Sequence, residues 1–296
     1  GNNIEMKLFS HIVALCMLLS TYFISTAQEA EKFHIRHQGI DRTYWLYIPE
    51  TLTEQAPLVF VLHGYGGKAE GYRPEMMETA HKYGFAVCYP QGEKAPKGKT
   101  GWNVRYPKQE GMKTDDIDFI CDLARHLQKK HGFSKENTFF SGMSNGGELC
   151  YIMAMQHPEV FTAYASVAGL TMEWAYRSMS PKQGVPIMEV HGTADKTSMW
   201  DGDPDNTAGW GEYISVPLAV GVWSAAARCT HTETTALPQK RNQVILHRHL
   251  GGTPAWKGGP DIEVRLYEVV GGKHSWALND MDTCEEIWKF FSMYLR

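Results

Sequence analysis

At 296 residues the chain has room for one large domain plus a tail. Its composition, 43% hydrophobic, 21% charged and 12% aromatic with no repeat or low-complexity tract, is that of a folded globular protein. The net charge of -4, with lysine and arginine scattered along the chain, argues against a phosphate-binding surface and so against nucleic acid as a partner.

Lys7 is followed by an apolar stretch from Leu8 to Ile24, interrupted only by Ser10, His11, Ser20 and Thr21, and then by small residues at Ser25 and Ala27. That order matches an export signal: a basic start, an apolar middle and a small-residue cleavage site. The expectation is a signal peptide over residues 1–27, cleavage after Ala27, and one mature domain of residues 28–296 that works in the periplasm or outside the cell. A retained membrane anchor is the rival reading, but the stretch is short and polar residues break it near both ends. A lipoprotein signal wants a small residue before Cys16, where Leu15 stands.

Tyr44 to Ile48 alternates like a half-buried strand and stops at Pro49. Leu58-Val-Phe-Val-Leu62 is a continuous apolar run, as in a strand covered on both faces, and leads into the glycine tract His63-Gly-Tyr-Gly-Gly67. Phe85 to Tyr89 is another strand. After it, a long connection from Gln91 to Thr114 carries Trp102-Asn103, and connections of this length usually have a function. Asp116 to Gln128 puts Ile117, Ile120, Ala124 and Leu127 on one helical face. Thr138 to Ser141 predicts a strand and Gly146 to Gln156 a helix, with Gly142-Met-Ser-Asn-Gly146 at the turn between them. Two more strands follow, Tyr164 to Ala168 and Ile187 to Val190, and the second turns off into His191-Gly-Thr-Ala-Asp195. A second long connection, Lys196 to Ser215, carries Trp200 and Trp210 and precedes a helix over Val216 to Arg228. Val264 to Val270 is the last predicted strand and ends at Gly271-Gly-Lys-His274, ahead of a helix from Asp282 to Leu295. Strands alternating with helices predict an α/β fold, a mostly parallel sheet covered on both faces, with a small lid or none.

The chemistry gathers where strands end. Gly-x-Ser-x-Gly between a strand and a helix forms a sharp, strained turn that exposes Ser144 as a nucleophile above a helix N-terminus. The alternative is an ordinary glycine-rich turn with a surface serine, and the flanking strand and helix argue against it. Such a serine needs a histidine base and an acid to orient that base. Asp195 turns off the end of the Ile187 strand, and His274 sits on the loop before the last helix. Asp201, Asp203 and Asp205 lie too far from the strand end, and His247 and His249 alternate within a strand-like run. The tetrahedral intermediate would find amide donors in the N–H groups of Tyr65 and Asn145. No cofactor is expected.

Four segments together, His63-Gly-Tyr-Gly-Gly67, Gly142-Met-Ser-Asn-Gly146, His191-Gly-Thr-Ala-Asp195 and Gly271-Gly-Lys-His-Ser-Trp276, resemble the family of secreted feruloyl esterases and polyhydroxybutyrate depolymerases. The likeness runs from about Phe33 to the C-terminus and includes Gly101-Trp-Asn103, Asp115-Asp-Ile117 and the Trp223 helix ending near Cys229. It implies an α/β-hydrolase fold, no catalytic metal, and the triad Ser144, Asp195 and His274. Tyr65 stands where members often have a smaller or sulfur-bearing residue, and Ala277 where a proline often follows the tryptophan, so the resemblance does not fix the shape of the acyl pocket.

Trp102, Trp200 and Trp276 lie on loops beside these elements and are the candidate substrate-binding rings, with packing of the loops as the alternative. The expected substrate is a polymer-linked carboxylic ester, a feruloyl or related acyl group on plant cell-wall polysaccharide, with polyhydroxybutyrate-type polyester or acetyl-xylan as alternatives. A catalytically silent fold that binds polysaccharide or protein is the reading of another class. Asp201 to Asn206 with Glu212 has the oxygen spacing of a calcium loop, but lacks its turn glycine and its helix frame, so a solvated acidic loop is expected. Five cysteines follow Ala27; Cys88, Cys121 and Cys150 fit as buried thiols, and Cys229 and Cys284 are a candidate pair.

Overall fold

The computed structural model describes residues 28–296, and the expected signal peptide lies outside the described residues. Its strands are β1 (Glu31–His37), β2 (Ile40–Tyr47), β3 (Leu58–Leu62), β4 (Ala86–Pro90), β5 (Glu93–Lys94), β6 (Thr100–Gly101), β7 (Thr138–Met143), β8 (Tyr164–Val167), β9 (Ile187–Gly192), β10 (His231–Ala236), β11 (Val244–Gly252) and β12 (Ile262–Val269). Its α-helices are α1 (Pro74–Tyr83), α2 (Asp116–His131), α3 (Asn145–Gln156), α4 (Glu173–Ser178), α5 (Val216–Ala227) and α6 (Thr283–Ser292). Ten strands form one sheet in the order β1-β2-β4-β3-β7-β8-β9-β12-β11-β10, while β5 and β6 pair as a separate hairpin. From β4 to β12 the neighbours run parallel, and antiparallel strands finish both sides. Parallel strands deliver all their C-terminal ends to one edge, and ligand sites of open α/β sheets form there.

Burial explains which strands take the centre. Every residue of β3 and β4 is buried, as continuous apolar runs require when helices cover both faces. One core packs α2, α3 and α5 onto one face; the other packs α1 and α6 onto the opposite face. In α2 the predicted stripe of Ile117, Ile120, Ala124 and Leu127 is buried. Asp115 caps its first turn by accepting the Asp118 amide, and Gly132 ends it in the left-handed conformation. The candidate pair Cys229 and Cys284 does not form a bridge. All five described cysteines are free, because Cys229 packs on the α5 side of the sheet and Cys284 on the α6 side.

Candidate active site

The Gly142–Gly146 turn takes the strained form its sequence predicts. Ser144 has φ 54° and ψ -117°, and its amide donates to the Val167 carbonyl at 2.8 Å. A Cβ on Gly142 would meet the Gly146 carbonyl at 2.6 Å, and one on Gly146 would meet the Leu62 carbonyl at 2.6 Å. Both positions are therefore closed to any side chain.

Asp195 and His274 come from different elements. The turn after β9 and the loop after β12 are tied by hydrogen bonds from Thr193 N to Val269 O at 3.0 Å and from Ala194 N to Gly272 O at 2.9 Å. His274 Nδ1 then lies 2.8 Å from Asp195 Oδ2. Asp195 Oδ1 accepts the amides of Thr197 and Ser198 at 2.9 and 2.8 Å, so its carboxylate is fixed and buried. With the Nδ1 proton donated to Asp195, His274 keeps Nε2 as the acceptor nitrogen. Met143 and Ser275, the chain neighbours of Ser144 and His274, line one cavity of about 330 Å³. Among the described residues no hydrogen bond of 3.5 Å or less joins Ser144 Oγ to His274. Such contacts often tighten only once substrate is bound.

The glycine tract after β3 lies against the serine, and a Cβ on Gly64 would stand 3.3 Å from Ser144 Cβ. His63 sets its path. The Gly92 amide donates to His63 Nε2 at 2.9 Å, which places the ring proton on Nδ1, bonded to the Gly64 carbonyl at 2.7 Å. Burial lowers the His63 pKa and favours this neutral form. The amides of Tyr65 and Asn145 donate to no other described residue and are available to an oxyanion.

A second buried cluster supports the acid. His191 Nδ1 lies 2.7 Å from Glu189 Oε1, its Nε2 lies 2.7 Å from the Ser198 carbonyl, and Asp195 Oδ2 is 3.7 Å away. Burial works against a charged ring, but the Glu189 carboxylate outweighs it and raises the His191 pKa. Beneath Ser144, burial raises Glu148 to about 8, with the Tyr106 hydroxyl pulling the other way. A neutral acid there adds no negative charge under a developing oxyanion.

Two of the three candidate tryptophans are buried. Trp102 is 0% exposed, and its indole N–H donates to the His63 carbonyl at 2.8 Å. Asn145 bonds the backbone of Trp102 on both sides, and Asp116 accepts the Asn103 amide at 2.7 Å. The Gln91–Thr114 connection is thus anchored rather than free to reach over the cleft. Trp276 is 4% exposed and donates to the Tyr72 hydroxyl at 3.0 Å, with the Arg73 guanidinium 5.0 Å from its ring. Trp200 is half-buried, edge-on to His191 at 6.1 Å. Trp276 also lines the cavity that holds Met143 and Ser275, and Trp210, on the second long connection, lines another together with Tyr65. Its sequence signal was only its place on that loop.

In the Asp201–Glu212 loop, Asp203 and Asn206 use their side-chain oxygens within the loop. Asp203 accepts the amides of Thr207 and Ala208 and the Thr207 hydroxyl, and these bonds lower its pKa despite the opposing effect of burial. Among the described residues, the one trio close enough to share a metal is His37, Asp118 and Asp122, and there His37 already bonds Asp118 at 2.8 Å.

Residues 42–224 match the family model described as Esterase PHB depolymerase. Feruloyl esterase B of Neurospora crassa is 27% identical over 163 residues, 54% of this chain and 54% of that protein. Poly(3-hydroxyalkanoate) depolymerase C of Paucimonas lemoignei is 24% identical over 208 residues, 67% of this chain and 46% of that protein. The chain thus spans about half the length of these curated relatives. Acetyl xylan esterase from Aspergillus awamori superposes with a TM-score of 0.61 at 16% identity, over 89% of this chain and 99% of that one, which shows a shared fold.

Proposed function

The chain belongs to the Esterase PHB depolymerase family, and from that premise we propose that it is a serine esterase using Ser144, His274 and Asp195. The observation that carries this reading is the 2.8 Å contact of His274 Nδ1 with an amide-fixed Asp195, at the sheet edge that holds the Ser144 turn. His274 Nε2 takes the Ser144 proton as Oγ attacks the ester carbonyl, and the Tyr65 and Asn145 amides receive the oxyanion. The imidazolium then protonates the departing alcohol, and water repeats the cycle on the acyl-enzyme.

The substrate class is a feruloyl or related acyl ester on plant cell-wall polysaccharide, supported by the relatives' names and by an open site. Polyester and acetyl-xylan are the competing substrates, and the apolar stretch of residues 8–24 supports export. Among the described residues no helix is long and apolar enough to cross a membrane. Purified protein should hydrolyse a small chromogenic acetate ester, and Ser144→Ala should lower turnover by roughly a million-fold. Near-wild-type turnover by a folded Ser144→Ala protein would sink the mechanism. Comparing methyl ferulate, acetylated xylan and polyhydroxybutyrate ranks the substrates.

A further inference from the structure

A cavity of about 650 Å³ opens beside the candidate oxyanion loop, lined by Tyr65, Trp210 and Pro107 together with Lys97, Lys99, Lys108 and Glu110. Its charge runs against that of the chain. Three lysines face one glutamate in a protein of net charge -4, and among the described residues none of the four forms an ion pair within 4.0 Å. Lys108 instead holds its ammonium 4.1 Å from the centre of the Trp210 ring. Trp210 is itself propped by Tyr65 and Tyr106 at 5.5 and 5.2 Å.

The wall is built rather than incidental. The β5–β6 hairpin that carries Lys97 and Lys99 is joined to the glycine tract by Gly66 N to Thr100 O at 2.6 Å, Thr100 Oγ1 to Gly67 O at 2.8 Å, and Lys99 N to Tyr65 Oη at 3.0 Å. The Lys99 stem packs where a Gly66 side chain would stand, 3.1 Å away. An aromatic face beside clustered, unpaired ammonium groups suits a ligand that is both a ring and an anion.

We propose that this cavity is a subsite for a uronate residue of the glycan that carries the scissile ester. The inference rests on the esterase reading, since Tyr65 belongs at once to this cavity and to the loop beside Ser144. The sugar ring lies along Trp210, and its carboxylate meets Lys97, Lys99 and Lys108.

Calorimetric titration of the full protein with trigalacturonate and with neutral xylotriose tests it without turnover. The acidic oligomer should bind at least about tenfold more tightly, and the preference should fade as salt rises. The paired charge reversal Lys97→Glu with Lys108→Glu should remove the preference, with an unchanged melting temperature as the fold control. Equal affinity for the two oligomers, or an acidic preference that survives the charge reversal, overturns the subsite. Hydrolysis of a small acetate ester by wild-type protein is scored separately, and its absence overturns the esterase reading while the titration still decides the subsite.

Discussion

His191 shows how much of the site lies behind the reacting atoms. Its nitrogens face Glu189 and the Ser198 carbonyl of the Asp195 loop, and against the opposing effect of burial Glu189 raises its pKa. Removing it in His191→Ala leaves Glu189 buried without its partner, a loss that costs about 3–5 kcal/mol. The double variant His191→Leu with Glu189→Leu should recover much of that loss, and denaturant titration of the single and double variants measures it. Full loss in both would show that the pair is not an isolated charge couple. At the site's front, Asp195→Asn should lower turnover by roughly ten-thousand-fold while the geometry stays intact. If Asp203→Asn were the more damaging change, the acid has been misassigned. The turns that carry Asp195, His274 and Ser144 were legible because each follows an apolar strand, and of their predicted contacts the structure forms the one between His274 and Asp195. The Glu189–His191 pair was visible in principle, as a carboxylate inside a buried strand two residues from a histidine on the same face. Trp102 was placed wrongly because a ring's position on a loop does not say which way the loop folds, and Trp276 is buried against Tyr72 and Arg73 where it borders the cavity. Trp276→Ala should therefore cost about 3–5 kcal/mol of stability. Its kcat/KM losses on methyl ferulate and on an acetate ester should be equal, and a selective loss on ferulate would restore the clamp.

At the scale of elements, α3 does two jobs. Its N-terminus underlies Ser144, and its first turn carries Glu148, whose Oε2 has no hydrogen-bond partner among the described residues. Burial raises this carboxyl from the ordinary 4.5 to about 8, so the folded state holds its proton more tightly than the unfolded chain. The stability this contributes is full below about 4.5, falls as pH rises, and is gone above about 8. Melting temperatures at pH 5 and pH 8.5 should therefore diverge more in wild type than in Glu148→Gln, and parallel shifts would exclude the effect. Turnover should also decline above about 8 in wild type, as a carboxylate appears under the oxyanion, and decline less in the glutamine variant. The strongly patterned elements, β3, β7, β9 and α2, were plain in the sequence. Others were not: β10 is exposed at every residue, β1 alternates weakly at the sheet's edge, and α1 has a mixed face set by packing on α6. Such elements owe their form to neighbours rather than to their own period.

Across the whole molecule the sheet is a partition. Because it separates Cys229 from Cys284, no disulfide among the described residues joins the two cores, and each holds by packing. A reductant should leave the melting temperature of residues 28–296 unchanged, and a drop on reduction would reveal a bridge the fold does not contain. Ser144 connects this stability to the reaction. Its left-handed backbone carries a strain of about 1–3 kcal/mol that glycine would relieve, less about 0.5–1 kcal/mol for glycine's greater freedom when unfolded. Ser144→Gly should melt above Ser144→Ala, though both are inactive, since alanine keeps the offending Cβ. The same Cβ that the proposed reaction requires is thus a standing cost to the fold, so durability and turnover pull in opposite directions at this one position.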